Sequence, residues 1–65
     1  MEKRIELFEK YAIDDTTISL IAECNVYDNN NRIEQLSRSP FSFPNTMSDE
    51  EIIISIQTNE YNIYF

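Results

Sequence analysis

Few residues in this chain are equipped for chemistry. Its 65 residues include twelve Asp and Glu against five Lys and Arg, one Cys, no His and no Gly. Without His, the commonest general base and metal ligand is missing. Without Gly, neither the G-x-x-x-x-G-K nor the G-x-G-x-x-G phosphate loop can be written. A nucleophilic Ser, or Cys24, needs a base held by a third group, and only Lys3 and Lys10 are conceivable partners. Carboxylates are plentiful, but glycosidase-type catalysis needs two of them about 5–10 Å apart across a cleft, which so short a chain, with no Trp, can scarcely build. Asp28-Asn29-Asn30-Asn31-Arg32 has the outline of a calcium loop, yet Arg32 falls at the third ligand position, the central Gly is missing, and Ser39 stands where a bidentate Glu belongs. Asp14-Asp15 and Asp49-Glu50-Glu51 suit weak surface binding of hard cations, for which charge at a helix terminus is the plainer explanation. The residues therefore predict no catalytic group, no cofactor and no metal site.

The acidity itself is informative. Ile and Asn are abundant, Gly is absent and Ala occurs only at 12 and 22, as expected of an A/T-rich coding sequence. That bias should also favour Lys, yet Lys occurs only at 3 and 10 and the net charge is −7. Such a field repels nucleic acid and membrane surfaces and steers the protein toward basic ones; solubility of a small domain accounts for it equally well. The bases at 3, 4, 10, 32 and 38 form no patch, and aromatic residues without interleaved Lys or Arg make no stacking groove. Direct nucleic-acid binding is not expected. Mimicry of nucleic acid has more support: on a helix Glu2, Glu6 and Glu9 would stand about 4.5–6 Å apart along the axis, against about 3.4 Å between phosphates of one DNA strand. Asp14, Asp15, Asp49, Glu50 and Glu51 would have to complete such a decoy. A different kind of contact is offered by Phe41 and Phe43, which Pro40 and Pro44 hold in an extended segment. They could anchor in a partner's pocket or lid their own core.

These groups need elements to position them. Ile5, Phe8 and Ala12, with Leu7 and Tyr11, recur at helical spacing, so residues 2–12 predict an amphipathic helix, although Arg4 falls inside its apolar arc and Ile5, Leu7, Tyr11 and Ile13 also fit a strand. Residues 16–27 alternate more cleanly, with Ile18, Leu20, Ala22, Cys24 and Val26 on one face of a strand. Asp28 to Asn31 supply a turn that tolerates left-handed backbone without Gly, and residues 32–37 return as a short edge strand. Residues 39–45 look like a linker. Ser48-Asp49-Glu50-Glu51 matches a capping box, with Met47 and Ile52 placed for a hydrophobic staple; the β-branched run Ile52, Ile53, Ile54, Ile56 prefers strand. A short helix through about residue 57 is the alternative, and a strand is favoured, because Tyr61, Ile63 and Phe65 resume alternation after a turn at residues 57–60.

One domain of this length buries only about 60% of the surface its unfolded chain exposes, and a core so small supplies about 3–5 kcal/mol without a staple. Neither a disulfide nor a metal cage is available, so a homodimer or permanent residence on a partner is expected. Cys24, inside the apolar alternation, is expected to pack as a small hydrophobe. No apolar stretch suits a signal peptide or a membrane span, which points to a reducing cytoplasm. In composition the chain resembles small accessory proteins from phages of low-GC bacteria; no motif carries that resemblance. The expected fold is α+β, an N-terminal helix packed on a three- to four-stranded antiparallel sheet. The expected function is that of a non-enzymatic binder or inhibitor docking on a basic surface of a cellular protein through Glu2, Glu6, Glu9, Asp14, Asp15, Phe41, Phe43, Asp49, Glu50 and Glu51. The alternative is a small structural subunit of a phage particle or other homo-oligomer.

Overall fold

A computed structural model describes residues 1–59. Three strands, β1 (Glu2–Ala12), β2 (Thr17–Asp28) and β3 (Asn31–Pro44), form an antiparallel sheet in the order β1-β2-β3, and helix α1 (Asp49–Thr58) follows. The expected N-terminal helix is thus a strand, and the helix of the fold lies where a strand was expected. Among the described residues no helix is long and apolar enough to cross a membrane.

The reason for the first exchange lies in Arg4. A helix would hold its charge within the apolar arc. As a strand, β1 sets Ile5 opposite Cys24 and Leu7 opposite Ala22 on one face, while Glu2, Arg4, Glu6 and Phe8 stand on the other. Arg4 there lies 4.2 Å from the centre of the Tyr27 ring and pairs with Glu2 at 2.8 Å. Tertiary pairing has overruled the helical period that the spacing favours and selected the strand period that it also fits.

The second exchange is decided by capping. Ser48 accepts from the Glu51 amide at 3.2 Å and Glu51 returns the bond to the Ser48 amide at 2.9 Å, closing the capping box. Once the chain is helical, Ile52 and Ile56 fall one turn apart on a single face, and both are fully buried. Met47 packs against the same cluster, as a staple should. These gains outweigh the strand preference of the isoleucines. Residues 57 and 58 of the turn expected at 57–60 belong to α1 instead, which continues to Thr58; residue 60 and the strand expected at Tyr61, Ile63 and Phe65 lie outside the described residues.

Strand β2 matches the expected alternation. It ends in a two-residue turn at Asn29 and Asn30, with φ of 52° and 66°, the left-handed pair that a type I′ hairpin requires. Strand β3 is longer than expected, because residues 39–44 are not a linker but its second half. Pro40 faces Ile21 and Pro44 faces Thr17; proline suits β3, which among the described residues pairs with β2 alone. Register shifts leave Leu36 and Ile33 as extra residues in β3.

The core is one-sided. Ile18, Leu20, Ala22 and Cys24 line the inner face of β2, Ile52 and Ile56 close over them, and Ile5, Leu7, Leu36, Phe41, Phe43 and Met47 fill the margin. Burial raises the Cys24 thiol above its ordinary pKa, so it packs as an inert apolar group.

Candidate interaction surfaces

Among the described residues no helix covers the outer sheet face, yet Glu23 and Asn25 are only 9% and 1% exposed there. Neighbouring side chains bury them. Asn25 Nδ2 donates to Glu6 Oε1 at 3.0 Å and to Glu23 Oε1 at 3.1 Å, and the Tyr27 hydroxyl donates to Glu6 Oε1. Arg38 Nε reaches Glu23 Oε2 at 3.0 Å, its Nη2 reaches Glu9 at 3.2 Å, and Arg32 lies 3.7 Å from Glu23. The Asn25 bond, aided by Arg38, holds the Glu23 carboxyl below the ordinary glutamate pKa despite its burial. The bond to Glu6 raises the Tyr27 phenol. Among the described residues this network is the most connected group of ionisable side chains. Most of its polar atoms are engaged by its own members, and Asn25 Oδ1 is buried in it without a hydrogen-bond partner among the described residues.

Sequence reasoning missed this network. Its signal was the polar alternation of β2, in which Glu23, Asn25 and Tyr27 follow one another at spacing two. What could not be seen was that Arg38, from a segment expected to end near residue 37, would lie opposite Glu23.

The structure redistributes the candidate residues. Glu2 and Glu6 sit on one face of an extended strand, so about 13 Å separates them at the strand rise of about 3.3 Å per residue. Glu9 occupies a bulge with φ of 53°. Glu2 pairs with Arg4 and Glu9 with Arg38. The helical stripe that suggested a nucleic-acid decoy therefore does not exist. Phe41 and Phe43 do share one face, as expected; they are half-buried, stacked with ring centres 6.1 Å apart, and packed on the core. An open groove of about 360 Å³ runs beside Phe43, between Thr16, Thr17, Ser42 and Pro44.

The remaining candidate carboxylates gather at one end, while Asp28 and Glu34 lie by the β2–β3 turn at the other. Asn45 ties the β1–β2 turn to the β3–α1 connection, its amide donating to Thr16 O at 2.8 Å and its side chain to Asp15 O at 2.7 Å. Asp14 and Asp15 thereby share an end of the molecule with Asp49, Glu50 and Glu51. Backbone and side-chain donors of Thr16 hold the Asp14 carboxyl below its ordinary pKa, and the Ser48 amide does the same for Glu51, so both remain charged at neutral pH. Lys10, 2.8 Å from Asp49, is the base that reaches this end. The described arginines are engaged with Glu2, Glu9 and Glu23 on the outer face. Among the described residues no group of His, Cys, Asp and Glu is arranged to hold a metal ion. Comparison with protein-family models, with curated proteins and with solved structures gives no match in any of the three.

Proposed function

We propose that this is a non-enzymatic interaction protein that docks through its acidic end on a basic surface of a partner protein. The observation behind this reading is the segregation of charge: Asp14, Asp15, Asp49, Glu50 and Glu51 stand together with only Lys10 beside them, while the arginines are spent on the outer sheet face. Such a pole accelerates encounter with a cationic partner and orients it. The groove beside Phe43 opens next to this end and gives the contact an apolar margin. Occlusion of a nucleic-acid site on the partner would follow from charge alone and needs no imitation of phosphate spacing.

The test is capture of partners from a bacterial lysate at low salt, with the triple variant D14N, D15N, E50Q in parallel. Asn at position 14 keeps the acceptor that Thr16 uses, and the capping box is untouched, so the fold is retained. Three exposed ion pairs of about 0.2–1 kcal/mol each correspond to roughly tenfold weaker binding. A partner retained equally by both proteins, or retained through a high-salt wash, would remove the acidic end from the interface. The rival reading, a subunit of a homo-oligomeric assembly, is favoured by a different feature, the edge formed by β1.

A further inference from the structure

Among the described residues the three-stranded sheet ends in β1 on one side and β3 on the other, and the two strands differ. On β3, Pro40 and Pro44 remove donors and the extra residues Leu36 and Ile33 interrupt the ladder, devices that keep an edge from pairing. On β1, residues 2–8 hold an unbroken register with β2, without proline and without a bulge until the shift between Phe8 and Tyr11. Nothing among the described residues pairs with the outer side of that run. Its inner-face residues Ile5 and Leu7 are only partly buried, at the margin of the core.

Charged residues usually blunt an edge, and β1 carries several. Their order, however, is self-complementary. In an antiparallel pair of identical strands related by a two-fold axis normal to the sheet, opposed residue numbers sum to a constant. An axis at Glu6 would oppose Glu6 to itself, and one at Arg4 would oppose Arg4 to itself and Glu2 to Glu6, both unfavourable. An axis at Ile5 opposes Arg4 to Glu6 of the second copy, twice, places Ile5 against its own counterpart and sets Lys3 beside Leu7. Ile5 is also the midpoint of the regular run, so this register uses residues 2–8 in full. Charge matching and strand length select the same axis independently. The bonds described for Glu6 fall on Oε1, and those of Arg4 come from Nε and Nη2, so the pairing does not require the outer-face network to be dismantled.

We propose that β1 pairs with β1 of a second copy about a two-fold axis at Ile5, giving a continuous six-stranded sheet with both helices on one face. This surface is distinct from the acidic end, so either can fail without the other. Sedimentation velocity on the unaltered protein at high micromolar concentration should show a dimer. In a Cys24→Ala background, Ile5→Cys should form a covalent dimer under mild oxidation, because directly opposed residues lie about 4.5–5.5 Å apart at Cα, inside the range a disulfide accepts. Lys3→Cys should not, since its two copies are displaced by four residues along the strands. Hydrogen exchange on the unaltered chain decides the matter even if the variants fold poorly: amides within residues 2–8 should gain protection with concentration while those of β3 do not. A monomer throughout, equal cross-linking at both positions, or concentration-dependent protection on β3 or elsewhere but not on β1 would overturn the proposal.

Discussion

Ile54 and Ile56 lie two residues apart, and the helix gives them opposite fates. Ile56 is fully buried while Ile54 is 57% exposed; a strand would have put both on one face. Replacing Ile56 with Ala removes three carbons, about 0.8 kcal/mol each in transfer alone. The cavity left against Leu20 and its neighbours brings the cost into the range of about 2–5 kcal/mol usual for such changes. Against a total stability of about 3–5 kcal/mol for a core this small, Ile56→Ala should leave a large unfolded fraction at 37 °C. Ile54→Ala should cost less than about 1 kcal/mol, because over half its surface is already in water and Ala is the better helix former. Urea titration followed by far-UV circular dichroism measures both, with unchanged m values licensing the comparison. Equal losses for the two variants would refute the helical placement of this segment.

Two further outcomes are expected. Glu9→Gly should raise the melting temperature by a few degrees, since left-handed backbone costs a non-glycine residue about 1–2 kcal/mol and each kcal/mol is worth about 4–8 °C in a domain this size, whereas Glu9→Val should lower it. Because Glu23 is held below its ordinary pKa in the folded state, the stability it contributes is present above the unfolded value of about 4.3 and is lost as pH falls through the depressed one. Glu23→Gln should therefore flatten the acid limb of the stability profile, and an unaltered limb would dismiss the carboxylate as its source.

What the sequence disclosed followed from strength of local signal. Strand β2 was legible because its apolar residues alternate without competition, and the turn at Asn29 and Asn30 because asparagine is what a Gly-free chain can place at positive φ. β1 was not legible because residues 2–12 satisfy both periods, and the arbiter, the ladder to β2, is a non-local contact. α1 was misread for the opposite reason: the cap was visible, but propensity of the isoleucines was weighted above it. The paired state of Glu9 and Glu23 depended on Arg38 from β3, a partner that spacing along the chain does not encode, whereas Glu2 meets Arg4 two residues along its own strand. The acidic residues at 14–15 and 49–51 were each identified, while their convergence waits on Asn45, whose two bonds join turns far apart in sequence.

The order β1-β2-β3 makes every strand a neighbour of the one before it. A growing chain can therefore zip each hairpin as soon as its second strand is free, with little loop entropy to overcome. The inner face assembled this way is still uncovered, since Ile52 and Ile56 lie beyond all three strands. Until they dock, the apolar row Ile18, Leu20, Ala22 and Cys24 faces solvent on a sheet with a pairing-competent edge. A sheet formed without α1 would be adhesive, and α1 is the latch that closes it. Any segment able to occupy that row before the helix arrives would compete with it directly.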